Sequence, residues 1–275
     1  MAMFEGACAF IIALTLYAMA RHRPLVELLR DYLALALSAW LGEQSCIQLY
    51  KFYSYSPAWH GRLGQVPILV PLIWPLVVLS ACEVARQLRP RLSIRALAGL
   101  VAAIVALDAS LVEVVAVRAG LWQWVEPGHL GVPLIGVLGW AYFALGAAFC
   151  LLRPAAGWRL LLIPLAPLCA HVLILASWWG LFRWTLRGEL GTGSVVGILA
   201  VGALALGAAA VERRRGGGIP LLTALPRALA ASLFLMLLLT SAPADGKLWL
   251  HTAAVAVPYC VATRWHPAWT RSPPV

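Results

Sequence analysis

The chain has 275 residues, 62% of them hydrophobic and only 12% charged, with a formal net charge of +10. An average soluble domain carries about 25% charged residues, so this composition excludes a soluble globular enzyme and indicates an integral membrane protein. The positive charge does not indicate nucleic acid, because it sits in short clusters between apolar runs rather than in a phosphate-binding stripe.

The apolar runs place candidate spans at about 4–20, 31–53, 65–87, 93–117, 131–153, 159–182, 193–211, 226–243 and 247–264. Each is near the ~20 residues that cross the hydrocarbon core. The last two are the weakest. The expected fold class is therefore all-α, a polytopic transmembrane helix bundle of about eight spans, with seven and nine as the limits. The first run ends in A-M-A, as a signal-peptidase site does, but its start holds Glu5 and no basic residue, so it is expected to stay as a helix. Residues 1–275 are expected to form a single integral membrane domain. Its site-bearing core lies at about 31–153 and its C-terminal helices at about 159–264. The R-R-R-G-G-G stretch at 213–218 fits a linker. Of the 21 basic residues, 14 fall in loops after odd-numbered spans or in the tail, and 6 in loops after even-numbered spans. The positive-inside rule then puts the N-terminus outside. Pro71 and Pro75, either side of Trp74, are expected to kink the third span.

Acidic residues inside spans are the first functional suspects, because a charge in hydrocarbon is costly. There are four: Glu43, Glu83, Asp108 and Glu113. Glu83 stands three residues before Arg86 near a span end, and an interfacial ion pair explains it. Glu43, Asp108 and Glu113 all fall in the outer half of the bilayer under this topology. The loop at 51–62, with its Tyr53-Ser54-Tyr55, and the Trp122-Gln123-Trp124 loop lie on the same side. Asp108 and Glu113 are five residues apart, about 140° around a helix, and so do not share a face. Asp108 is deeper, has only apolar sequence neighbours, and is the preferred proton donor, since burial favours the neutral acid. Glu43, beside Gln44, is the candidate partner base or water holder. A plain helix-to-helix hydrogen bond is the structural alternative for both, and an interfacial position is the alternative for Glu113.

Thirteen tryptophans are many for this length. Most, such as Trp158, Trp178, Trp179, Trp184, Trp249 and Trp265, sit at expected span ends and form an interfacial belt. Trp74, Trp122, Trp124 and Trp140 are candidates for lining a cavity for an extended apolar ligand. Aromatic faces also stabilise carbocations through the quadrupole that binds cations. The six cysteines form no C-x-x-C, and no cofactor fingerprint or His-box spacing is present. Neither a metal nor a cofactor is expected. His171 is isolated in mid-span and is expected to bond between helices. His60 and His129, both in outer loops, have the option of meeting across the site.

At these residues the chain resembles the membrane carotenoid-biosynthesis proteins that include the carotenoid 1,2-hydratases of the bisanhydrobacterioruberin hydratase type. The resemblance rests on Glu43 followed by Tyr53-Ser54-Tyr55, on Asp108, on Gly120, Trp122 and Trp124, and on the G-V-P-L-x-x-x-x-G-W block at 131–140. It covers about residues 40–145 with specificity. It implies an acyclic carotenoid or other long isoprenoid as substrate, membrane lipid and other carotenoid-pathway enzymes as partners, and the bacterial cytoplasmic (inner) membrane as location. One position departs: an Asn usually follows G-V-P-L-x in the family, and here it is Gly136.

The expected function is a cofactor-independent hydratase. Asp108 would protonate the terminal double bond, and water held by Glu43, Gln44 or a loop tyrosine would capture the tertiary cation. The catalytic candidates are Asp108, Glu43 and Glu113. The substrate-binding candidates are Gln44, Tyr53, Tyr55, Trp74, Trp122, Trp124 and Trp140. Two alternatives stand beside this: a cyclase started by the same protonation, and a carotenoid- or lipid-binding membrane subunit without chemistry.

Overall fold

A computed structural model describes residues 1–21, 23–89, 91–126, 128–155, 157–185, 219–262 and 265–266. Within them the chain is predominantly helical, with eight helices. They are α1 (Ala2–Ala20), α2 (Leu25–Tyr50), α3 (Leu69–Leu88), α4 (Ile94–Arg118), α5 (Leu134–Leu151), α6 (Gly157–Thr185), α7 (Leu221–Ser241) and α8 (Gly246–Ala262). The expected span at 193–211 and the linker at 213–218 lie outside the described residues.

Five helices, α1, α3, α4, α5 and α6, are long and apolar enough to cross a membrane by length and composition. With the composition, this makes the chain a membrane protein. The expected count of about eight spans is met only in part. Helix α2 has 26 residues but carries Glu27, Arg30, Asp31 and Glu43. The apolar part of α7, Leu225–Ser241, is shorter than the five.

Local chemistry sets the ends. Pro24 precedes α2, which starts six residues earlier than its apolar run; near this start Asp31 is ion-paired to Arg30 on the same helix and to Arg23 and Arg159 of neighbouring segments. It stops at Lys51, held in the left-handed conformation at φ 54°. Ser93 caps α4 by accepting the Ala96 N–H at 3.3 Å. Within α6, residues Leu175–Phe182 widen into a π-helical turn.

The main core lies among α2 to α6, with Leu28, Leu35, Val78, Val101, Val105 and Leu162 fully buried. Polar side chains serve carbonyls near the prolines of these helices. Tyr32 donates to the Leu72 carbonyl at 2.6 Å beside Pro75, and Ser38 to the Leu162 carbonyl at 3.2 Å ahead of Pro164. Gly146 lets α5 approach α6 closely: a Cβ there would stand 2.8 Å from the Cys169 Cβ. Helices α1 and α7 pack beside α3, and α8 lies against α4.

What positions the site is a two-stranded antiparallel ribbon. Strand β1 (Tyr53–Tyr55) in the α2–α3 connection pairs with the strand Trp122–Trp124, here β2, in the α4–α5 connection. The register sets Tyr53 opposite Trp124 and Tyr55 opposite Trp122. Both connections therefore sit at the same end of the bundle. Both segments were expected as loops. Their alternation of aromatic and polar residues is a strand period of two, and each is too short to show it without its partner.

Candidate functional site

Because strand side chains alternate, Tyr53, Tyr55, Trp122 and Trp124 share the inner face of the ribbon, while Ser54 and Gln123 meet on the outer face at 3.3 Å. The ribbon is tied down by Ser56 N–H to the Leu121 carbonyl (3.0 Å) and Val125 N–H to the Phe52 carbonyl (2.8 Å). The Trp59 indole N–H adds a third bond, to the Leu121 carbonyl at 3.0 Å.

The inner face delivers its N–H and O–H groups to two glutamates. Glu43 Oε2 accepts from the Tyr53 hydroxyl in a very short contact and from the Tyr55 hydroxyl at 2.9 Å. Its Oε1 accepts from the Trp74 indole N–H, on α3, at 2.9 Å. Glu113 Oε2 accepts from the indoles of Trp122 (2.8 Å) and Trp124 (2.9 Å). Its Oε1 accepts from the Trp140 indole, on α5, at 2.7 Å. The Trp74 and Trp140 rings pack at 4.7 Å between the two carboxyls. Six aromatic donors thus hold two carboxyl groups. Burial pushes the Tyr53 and Tyr55 phenols well above their ordinary pKa. Both therefore keep their protons.

These groups line a cavity of about 430 Å³, bounded also by Phe4, Cys8 and Ile11 of α1 and by Ala230, Ala231 and Phe234 of α7. At its inner part lies a second polar pair. Asp108 faces Arg227 of α7, with one guanidinium nitrogen 2.5 and 2.6 Å from the two carboxylate oxygens. Arg227 also reaches the Val77 carbonyl at 3.4 Å. Asp108 is five residues from Glu113, about 7.5 Å of helix rise.

Of the ten candidates, nine line this cavity: Glu43, Tyr53, Tyr55, Trp74, Asp108, Glu113, Trp122, Trp124 and Trp140. Gln44 is placed elsewhere: its side chain accepts the Gln65 N–H at 2.8 Å and covers Gly64 in the α2–α3 connection. Asp108 differs from the expectation of a lone buried acid, because Arg227 makes it half of an ion pair. The sequence signal for this pair is Arg227, a basic residue within an apolar helix. Glu83 pairs with Arg86 at 4.0 Å. His171 bonds between helices as expected, with Ser45 at 2.8 Å and Tyr50 at 3.0 Å. His60 and His129 do not meet. His60 pairs with Glu5, at 2.5 Å, and the His129 ring packs 5.2 Å from that of His251. Among the described residues, no group of three or more His, Cys, Asp or Glu is placed to hold a metal ion.

Gly136 is explained by the same geometry. A Cβ at this position would stand 2.8 Å from the Trp124 indole and 3.1 Å from Val132. Overpacking of this kind costs about 1–3 kcal/mol. Gly136→Ala is therefore expected to lower stability by that amount in thermal unfolding, as Trp124 is pushed from Glu113. An unchanged melting temperature would show that the indole has room to move.

No curated protein and no solved structure shows significant similarity to the chain. The model of one protein family, described as carotenoid biosynthesis protein, matches residues 5–187, which include most of α1, all of α2 to α6, both strands of the ribbon and all ten candidate residues. The chain therefore belongs to the carotenoid biosynthesis protein family.

Proposed function

We propose that the protein is a cofactor-independent hydratase that adds water across the terminal double bond, between carbons 1 and 2, of an acyclic carotenoid. The observation that carries this reading is the pair of aromatic-held glutamates at one end of an apolar cavity. Such a cavity suits the end of a long isoprenoid, and the two carboxyls differ in what their partners are able to do.

An indole N–H only donates. Glu113, held by three indoles, is therefore a fixed acceptor whose negative charge and aromatic surround favour positive charge in the ligand. A tyrosine hydroxyl both donates and accepts. Glu43 and its two tyrosines are therefore able to gain and pass a proton with little movement of heavy atoms. In the proposed sequence, protonated Glu43 gives its proton to carbon 2, leaving a tertiary cation at carbon 1 beside Glu113. Water then bonds to carbon 1 through its oxygen and loses one proton, which returns through the tyrosines to Glu43. The product is a tertiary alcohol, and the catalyst is restored. The donor role is given to Glu43 rather than Asp108 because Arg227 engages both carboxylate oxygens of Asp108. Asp108 and Arg227 instead fix α7 against α3 and α4 along the cavity. The excess of basic residues at the opposite end supports a site near the outer face of a bacterial cytoplasmic membrane, with the N-terminus outside.

The test uses membranes containing the protein, an acyclic carotenoid such as lycopene, and oxygen-18-labelled water. Mass spectrometry is expected to show pigment heavier by one labelled water. An isomer of unchanged mass would point to cyclisation. Pigment recovered unchanged from several acyclic substrates would support a binding subunit, which the same apolar cavity also suits.

A further inference from the structure

The end of the bundle remote from the ribbon holds a second polar cluster. Asp31, on α2, is twelve residues and about 18 Å of helix rise from Glu43, and its side chain is only 2% exposed. Three arginines from three segments converge on it: Arg23 at 2.7 Å, Arg159 at 3.0 Å and Arg30 at 3.4 Å. Arg159 also donates to the carbonyls of Cys150 and Arg153 at 3.0 and 2.7 Å. The Arg153 guanidinium lies over the Phe149 and Trp158 rings at 4.2 and 4.0 Å, and its Nε is buried without a hydrogen-bond partner.

One carboxylate cannot balance these charges. Three guanidiniums on Asp31 leave an excess of two positive charges, and Arg153 makes it three. The exposed Glu27 in the first turn of α2 reduces the excess without removing it. Arg159 is largely enclosed, but the side chains of Arg23 and Arg30 are 32% and 41% exposed and keep N–H groups for an outside acceptor. Beside them runs a bare apolar stripe of α2, Leu25, Leu29 and Leu33, spaced by one helical turn and exposed. A guanidinium cluster selects a phosphate oxygen. The stripe adds what a free phosphate would not use, a path for acyl chains.

We propose that this cluster is a binding site for an anionic phospholipid, with the phosphate on Arg23 and Arg30 and the acyl chains along Leu25, Leu29 and Leu33. Basic pockets at the ends of membrane helices recognise such headgroups, and each arginine near the surface adds to the attraction.

Native mass spectrometry of the whole protein, presented with phosphatidylglycerol and phosphatidylcholine of identical acyl chains, provides the test. Phosphatidylglycerol is expected to be retained with about a tenfold preference. That preference should be lost in Arg23→Gln/Arg30→Gln, which keeps the buried Arg159–Asp31 pair. In phosphatidylglycerol nanodiscs the wild type should also melt higher than in phosphatidylcholine, and salt should reduce the difference. Equal retention of the two lipids by the wild type would overturn the proposal, and needs no variant to fold. So would a preference unchanged in the double variant, or inorganic phosphate reproducing the full melting shift in phosphatidylcholine nanodiscs.

Discussion

Glu43→Gln is expected to reduce turnover by about 10²–10⁴-fold, the usual contribution of a positioned general acid or base, while leaving the bundle folded. Glutamine is nearly the same size and its carbonyl oxygen still accepts from an aromatic donor, but it carries no transferable proton. Tyr53→Phe and Tyr55→Phe should each cost less, because either remaining hydroxyl keeps one route to the carboxyl. Glu113→Gln should also lower turnover, by about 10²–10³-fold, the cost typical of removing an electrostatic stabiliser. It should not impair pigment binding, since the cavity keeps its shape. Labelled-water incorporation by each purified variant, beside its pigment content and melting temperature, separates these effects. A folded Glu43→Gln protein that hydrates at the wild-type rate would remove the proposed mechanism.

Arg227→Met is expected to destabilise the protein by about 3–5 kcal/mol, because it leaves the Asp108 carboxylate uncompensated beside an apolar cavity. The double variant Asp108→Asn/Arg227→Met should recover most of that loss, since replacing both members of an enclosed pair is often nearly neutral. Unfolding of the two single variants and the double variant forms a mutant cycle, and a coupling near zero would show that the pair holds nothing together. The same proteins also decide between proton donors. If Asp108 fixes α7 in place, the double variant turns over far better than Glu43→Gln. If Asp108 is the acid, the double variant is as inactive as Asp108→Asn alone.

Hydropathy and charge alone identified a helical membrane protein, because spanning lipid demands long apolar runs whatever their partners. The same rule singled out Glu43, Asp108 and Glu113, since an acid in such a run is conspicuous by itself. The ribbon, by contrast, was only legible as aromatic loops. A three-residue strand is defined by its partner, and Tyr53–Tyr55 and Trp122–Trp124 are separated by two whole helices.

Which acids and aromatics are conspicuous was therefore legible in the sequence, but what each of them meets was not. Spacing put Asp108 and Glu113 on different faces of α4, yet it could not say what those faces would meet. Tertiary packing gave Asp108 an arginine from α7, more than a hundred residues on, and gave Glu113 three indoles from two elements. It turned Gln44 toward the α2–α3 connection and away from the cavity. It also brought the Trp124 ring to within 2.8 Å of where a Cβ at Gly136 would stand, a contact that only the folded chain creates. A residue's cost in lipid is a property of the residue and its neighbours in sequence. Whether it holds a proton, a charge or a helix depends on donors and counter-charges that arrive from distant segments.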